Sequence, residues 1–178
     1  MYKRQLSCAL VHRPDILLLD EPTTGVDAVS RREFWDQLGI LKASGLTIVV
    51  STPYMDEALR CDRVALIHGG KILEIDPPGS IGARYGLPLI AVRGGNRFEL
   101  LHALREFPHA QAVYLFGDEL HYTDRRADAP PETVASDMRE YLAGRGHNDV
   151  EAHPIAAGIE DSFMELMGSA PAPTATAA

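Results

Sequence analysis

At 178 residues, with 46% apolar and 24% charged side chains, the chain is long enough to bury one ordinary core or two small ones. Seventeen basic against 25 acidic residues leave a net charge of −8, which argues against non-specific binding to nucleic acid, where Lys and Arg must displace condensed counterions, and against an anionic membrane surface. No run of about 18 apolar residues is present to span a bilayer, no charged-then-apolar leader opens the sequence, and Cys8 and Cys61 are too few for a disulfide framework or a CxxC metal site, so a soluble protein of a reducing cytosol is expected.

Residues 3–12 read as the end of a helix stopped by Pro14. Asp15-Ile16-Leu17-Leu18-Leu19-Asp20-Glu21-Pro22 follows, and four consecutive apolar residues do not alternate as a half-exposed strand would. They predict a strand buried on both faces, as in a parallel sheet. A polar loop, Thr23 to Asp27, leads to a helix for which Ser30-x-x-Glu33 supplies a capping box, with Phe34, Leu38 and Leu41 at helical spacing and Gly45 as the stop. Leu46 to Ser51 is a second buried strand. Thr52-Pro53 opens a short helix through Arg60, with Pro53 in its first turn. Arg63 to His68 is a third strand, and Gly69-Gly70 turns it into a fourth, Lys71 to Ile75. Strands alternating with helices mark an α/β fold with a parallel sheet. Pro77-Pro78-Gly79 breaks the pattern.

From about Leu87 the order changes to strand (87–93), helix capped by Asn96, a hairpin of 110–116 with 120–123 around Gly117-Asp118, a helix after Pro130-Pro131 closed by Gly144, a strand at 150–155 and a helix at 159–167. This βαββαβ order is that of a ferredoxin-like α+β unit. Phe98, Leu101 and Leu104 on one helix, and Val134, Met138 and Leu142 on the other, are expected to face the core. Residues 169–178, rich in Ala, Pro and Thr, read as a disordered tail or linker. The expected organisation is therefore 1–85, 86–168 and 169–178.

Chemistry is expected first at Asp20 and Glu21. In open α/β sheets ligands bind beyond the carboxyl ends of the strands, and two acids placed there can hold Mg²⁺ and activate a water. The bland alternative is that both merely end a strand and face solvent. The seven histidines form no HxxxH pair, and the serines lack a nucleophile-elbow context. Arg31-Arg32 and Arg125-Arg126 read as solvated faces and Trp35 as core.

Three segments in this order resemble the nucleotide-binding domain of ABC transporters: Leu17 to Glu21 is similar to that family's Walker B strand, Thr24-Gly25-Val26-Asp27 to its D-loop, and Ser51 to Ala58 to its switch-histidine loop. The resemblance covers residues 5 to about 85, and Gly158 to Phe163 is similar to the closing segment of regulatory domains on drug-exporter cassettes. It implies ATP and Mg²⁺ as cofactors, with Asp20 holding the metal through water, Glu21 as general base, Thr24 and Gly25 beside the nucleotide, and Asp27 coupling two nucleotide sites. It implies a second ABC cassette and an ABC-2-type membrane permease as partners, with no nucleic acid, and a cytoplasmic location peripheral to the membrane through the permease.

Three departures accompany the match. The phosphate cradle GxxxxGK[ST] occurs nowhere, since Gly70-Lys71 is followed by Ile72. The Leu-Ser-Gly-Gly signature is absent ahead of Leu6, so truncation of a longer cassette is expected, and this polypeptide alone is not expected to hydrolyse ATP. Pro53 stands where the family's switch histidine would reach the γ-phosphate. The expected function is ATP binding and hydrolysis powering an exporter, of drugs by resemblance, with the chain resembling the first cassette of a tandem two-cassette ATPase. The alternatives are a non-catalytic regulatory or degenerate half, and a soluble cassette ATPase acting on DNA or ribosomes, which the acidic charge disfavours.

Overall fold

A computed structural model describes residues 2–169. The chain divides after Val64 into two compact units. The first contains α1 (Tyr2–Leu10), β1 (Ile16–Asp20), α2 (Ala28–Ala43), β2 (Thr47–Ser51) and α3 (Met55–Ala58). β1 and β2 pair in parallel, in register from Ile16 against Thr47 to Asp20 against Ser51. Two parallel strands must be joined by a crossover, and α2 is that crossover. Its apolar face supplies Phe34, Trp35 and Leu38, which bury Leu17 together with Leu6 of α1.

The expectation that these strands are covered on both faces is corrected. Leu17 is buried, but Ile16, Leu18 and Val49 are 57%, 73% and 54% exposed. The period-two geometry of a strand sends Leu17 and Leu19 toward α2 and Leu18 the opposite way, and no element of the unit lies against that second face. The helix start is corrected too. Ser30 lies inside α2 rather than capping it, and Asp27 is the N-cap, its Oδ1 accepting from the amides of Val29 at 3.1 Å and Ser30 at 2.9 Å. Pro53 lies before α3, whose N-cap is Tyr54, and is not in its first turn.

The second unit takes in β3 (Val64–His68) from its second residue on, β4 (Lys71–Asp76), α4 (Pro78–Ala83), β5 (Leu89–Arg93), α5 (Arg97–Arg105), β6 (Ala110–Phe116), β7 (Glu119–Asp124), α6 (Pro131–Gly144), β8 (Glu151–Pro154) and α7 (Ile159–Ser169). β3 and β4 form a hairpin whose turn residues Gly69 and Gly70 both have positive φ, +55° and +73°. That two-residue geometry suits the twist of the flanking strands and is closed to most side chains. α4 was not expected: Pro78 does not break the chain but starts this helix at a position where its missing N–H costs nothing.

The remaining strands form one sheet in the order β6-β7-β5-β8, with every pair antiparallel. One face carries the core, where Ile90, Val92, Leu120 and Tyr122 meet Leu100 and Leu104 of α5 and Val134, Met138 and Leu142 of α6. Phe107 joins them, packing edge-on to Tyr122 with ring centroids 5.5 Å apart. The α6 stripe faces inward as its period requires. The α5 stripe does not run through Phe98, which is 73% exposed, because two residues along a helix turn the side chain about 200° away from Leu100. The inward row is Leu100, Ala103 and Leu104. α7 is tied to this unit by Asp161, whose Oδ1 lies 2.6 Å from His121 Nδ1 on β7 while its Oδ2 accepts from the Gly158 amide at 2.8 Å. Ser162 is buried and donates to the Gly158 and Ile81 carbonyls. Residues 170–178 lie outside the described residues.

Candidate functional site

The parallel register places the last residues of β1 and β2 side by side, and the chemistry-bearing groups of the first unit gather on that rim. Asp20 Oδ1 accepts a hydrogen bond from the Ser51 hydroxyl. The next amide, that of Glu21, donates to Ser51 twice, to its carbonyl at 3.1 Å and to its Oγ at 3.0 Å. Ser51 thus pins the main chain at the point where it turns out of the strand. Only its strand position was legible in the sequence; the signal for its role is a hydroxyl at the register position opposite an aspartate.

Glu21 turns the chain with φ +41°, the left-handed region that non-glycine residues avoid. Its Oε2 accepts from Thr24 Oγ1 at 3.1 Å, and its carbonyl accepts from the Thr24 amide at 3.1 Å. Val26 N–H closes a second turn on the Thr23 carbonyl. Gly25 has φ +75° with nothing within 4 Å of where a Cβ would stand, so glycine is required there by backbone conformation and not by crowding. Asp20, Glu21, Thr24, Gly25 and Asp27 are all exposed. The structure therefore brings the predicted residues together on one open edge.

Asp27 has a structural job there. As N-cap it holds two orphan amides of α2, and the hydrogen bonds from Ser30, backbone and side chain, hold its carboxyl below the ordinary aspartate value. A folded value below the unfolded one means that the cap contributes above the ordinary aspartate pKa, and that its contribution is lost as pH falls through the folded value. Asp27→Ala is expected to lower the urea midpoint of the first unit, whereas Asp27→Asn and Asp27→Ser, which keep a side-chain oxygen, hold it near wild type. Equal loss in all three would remove the capping role.

Behind the rim lies a buried group the sequence reading missed. Glu57 on α3 is 1% exposed; its Oε2 accepts from Thr52 Oγ1 at 2.6 Å, and its Oε1 faces Arg31 Nε at 3.6 Å. Arg31 also lies over the Tyr54 ring, 4.2 Å from its centroid. Arg31 is accordingly no solvated face, and Arg126, though 40% exposed, also grips a buried group, Asp124, through Nε and Nη2 at 2.9 and 2.8 Å.

The donor set at the rim is carboxylate and hydroxyl oxygen, the hard ligands Mg²⁺ prefers. Among the described residues no group of three or more His, Cys, Asp or Glu could cage a metal ion. The described residues therefore do not fit a cation held by protein alone, and a cation resting on Asp20 would have to keep its waters. No helix of the described residues is long and apolar enough to cross a membrane.

A parallel βαβ unit with two acids at the carboxyl end of its first strand places them where open α/β sheets bind their ligands. Comparison with known proteins specifies the class. The chain is 37% identical over 165 residues to Nod factor export ATP-binding protein I of Sinorhizobium fredii (strain NBRC 101917 / NGR234), covering 92% of this chain and 45% of that protein. It is 39% identical over 171 residues to Nod factor export ATP-binding protein I of Rhizobium sp. (strain N33), covering 93% and 52%. It is 47% identical over 79 residues to "Probable multidrug ABC transporter ATP-binding protein YbhF" of Escherichia coli (strain K12), covering 44% and 14%. No family model matches. The chain is a homologue of the ATP-binding proteins of ABC transporters, and it spans about half the length of the curated Nod factor relatives it matches.

Proposed function

We propose that the chain is the carboxyl-terminal part of an ATP-binding cassette that drives export across a membrane, and that the rim formed by Asp20, Glu21 and Ser51 is its half of the hydrolytic site. The observation that carries this reading is the pairing of Asp20 with Ser51 at the ends of two parallel strands, which leaves the Glu21 carboxylate on an open edge. Bound MgATP supplies the electrophilic γ-phosphoryl group and its neutralising charge. Asp20 would hold the Mg²⁺ through water. Glu21 accepts a proton from the attacking water, its side chain oriented by Thr24 Oγ1. Thr24 and Gly25 shape the loop beside the nucleotide, and Asp27, besides capping α2, approaches a second cassette. The phosphate cradle and the signature are supplied by polypeptide outside this sequence, which the 54–73% exposure of Ile16, Leu18 and Val49 supports, because a parallel sheet is ordinarily covered on both faces.

On this reading residues 1–85 belong to the cassette and 86–168 form a regulatory domain, for which the strand order β6-β7-β5-β8 supports a ferredoxin-like arrangement. The partners are a second cassette, joined in tandem through the Ala/Pro/Thr segment, and an ABC-2-type permease that holds the ATPase at the cytoplasmic face of the membrane. The names of the relatives, Nod factor export and multidrug transport, favour an exported Nod factor or drug as cargo.

A second reading has one specific observation in its favour. Pro53 is exposed at the end of β2 and has no side-chain group to contact a phosphate, which suits a cassette half that binds without hydrolysis. Phosphate release from MgATP by the full-length protein separates the two: turnover supports the catalytic reading, and nucleotide binding with no turnover supports the regulatory one. Pro53→His is expected to raise the rate about tenfold, less than the roughly 10²- to 10⁴-fold of a fully positioned acid–base group, because the imidazole would replace only the contact to the γ-phosphate. No gain would show that Pro53 does not limit hydrolysis.

A further inference from the structure

Glu57 stands apart from the rim acids because it is buried, charged and paired with groups from two different directions. A buried carboxylate is costly unless paired and hydrogen-bonded. Here each oxygen has its own neighbour. Oε2 takes the Thr52 hydroxyl at 2.6 Å, and Oε1 has the Arg31 guanidinium at 3.6 Å, an ion pair beyond hydrogen-bond reach. Thr52 is not a passive donor. Its Oγ1 in turn accepts from the Tyr54 amide at 3.1 Å, so Glu57 closes the loop that holds Pro53 from both sides. Arg31 also reaches the loop directly, through the Tyr54 ring at 4.2 Å. At its own backbone Arg31 donates to the Asp27 carbonyl at 2.9 Å, one turn from the cap of α2.

We infer that Glu57 is a positioning residue that locks the loop after β2, Ser51 to Tyr54, to the first turn of α2, so that Pro53 and the Asp27 cap move as one body. A carboxylate serving the loop alone would need only Thr52. The arginine one turn beyond Asp27, paired with Glu57 of α3 and lying over the Tyr54 ring of that loop, is what makes the connection run between the two loops. With proline at position 53 no side chain there can take its position from a ligand, and the Thr52–Glu57–Arg31 chain provides that position internally. The functional consequence rests on the nucleotide-binding reading above, whereas the coupling itself does not.

Amide hydrogen exchange on the 178-residue chain tests the coupling directly. In Glu57→Gln the Tyr54 amide, which bonds Thr52, and the Val29 and Ser30 amides, which bond Asp27, are expected to exchange about tenfold faster together, as local opening of one cooperative unit requires. Acceleration of Tyr54 with Val29 and Ser30 at wild-type rates would overturn the proposal, and so would no acceleration at either. Should Glu57→Gln raise exchange throughout the unit, Thr52→Val, which deletes only the hydroxyl link, decides by the same comparison. In the full-length ATPase, Glu57→Gln is expected to lower kcat about tenfold with KM for MgATP changed less than about twofold, the split a positioning group gives. An unchanged kcat would remove the positioning role. If wild type itself releases no phosphate, the nucleotide-hydrolysis reading fails and the exchange rates still decide the coupling.

Discussion

Glu21→Gln in the full-length protein is expected to slow phosphate release from MgATP by roughly 10²- to 10³-fold while nucleotide affinity stays within about threefold, the range a general base contributes. The substitution tests the proton acceptor and little else. Glutamine has the same shape, its amide oxygen still accepts from Thr24 Oγ1, and the two bonds from the residue 21 amide to Ser51 are untouched. A loss of less than about threefold would reduce Glu21 to a strand terminator facing water, the bland reading of an exposed acid, and would favour the regulatory alternative that Pro53 already suggests. Backbone conformation makes a companion variant informative. At φ +41° a side chain costs on the order of 1 kcal/mol that glycine does not. Glu21→Gly should therefore raise stability by about that amount while abolishing turnover. A variant more stable and inactive would mark the strain at position 21 as retained for chemistry; a less stable one would show that the Thr24–Glu21 bond outweighs it. Thermal and urea unfolding of the 178-residue chain measure the first quantity, and phosphate release by the full-length protein measures the second.

What the sequence made legible was whatever depends on neighbours along the chain. The parallel pairing of β1 with β2 follows from two β-branched or leucine-rich runs separated by a helix, and the hairpin at Gly69-Gly70 follows from two residues that tolerate positive φ. The Val134/Met138/Leu142 face of α6 follows from period. Misreadings arose where two local signals competed for one position. Asp27 and Ser30 are both good caps, and Asp27 prevailed because its carboxylate reaches two amides at once. Pro78 can break a chain or begin a helix, and here it begins one. At the site, Asp20, Glu21 and the turn after them were readable because they are contiguous. Ser51, Arg31 and Glu57 were not, because their roles come from the register of β2 against β1 and from α3 folding back on α2, contacts that span 20 to 30 positions and leave no periodic trace. Burial of both strand faces was expected because leucine on both sides of a strand implies two covering layers, and the described residues of the first unit provide one.

The second large effect is expected in the small sheet, at the corner where β7 ends. Asp124 is wholly buried and accepts from the Arg126 amide, from Arg126 Nε and Nη2, and from the Tyr122 hydroxyl. Burial pushes its carboxyl up, but the Arg126 bonds and charge outweigh that and hold it below the ordinary aspartate value. The two partners are not equivalent, because the Arg126 side chain is 40% exposed and the Asp124 side chain is not exposed at all. Removing the arginine strands a charge inside the protein, whereas removing the aspartate leaves a guanidinium that water can reach. Arg126→Ala is therefore expected to cost about 3 kcal/mol of unfolding free energy, and Asp124→Ala about 2 kcal/mol, in urea titrations at neutral pH. The pH dependence separates the causes. In wild type the depressed carboxyl contributes above its unfolded value, and that contribution is lost as pH falls through the folded value. In Arg126→Ala the unpaired carboxyl shifts upward, so protonation relieves the buried charge and the deficit against wild type narrows as pH falls from about 7 to about 4. In Asp124→Ala no such carboxyl remains in the variant, and its deficit shrinks only when acid removes the wild-type contribution, at lower pH than for the arginine variant. A deficit in Arg126→Ala that stays constant down to pH 4 would mean that Arg126 acts through packing of its methylene stem and not through the charge it holds against Asp124.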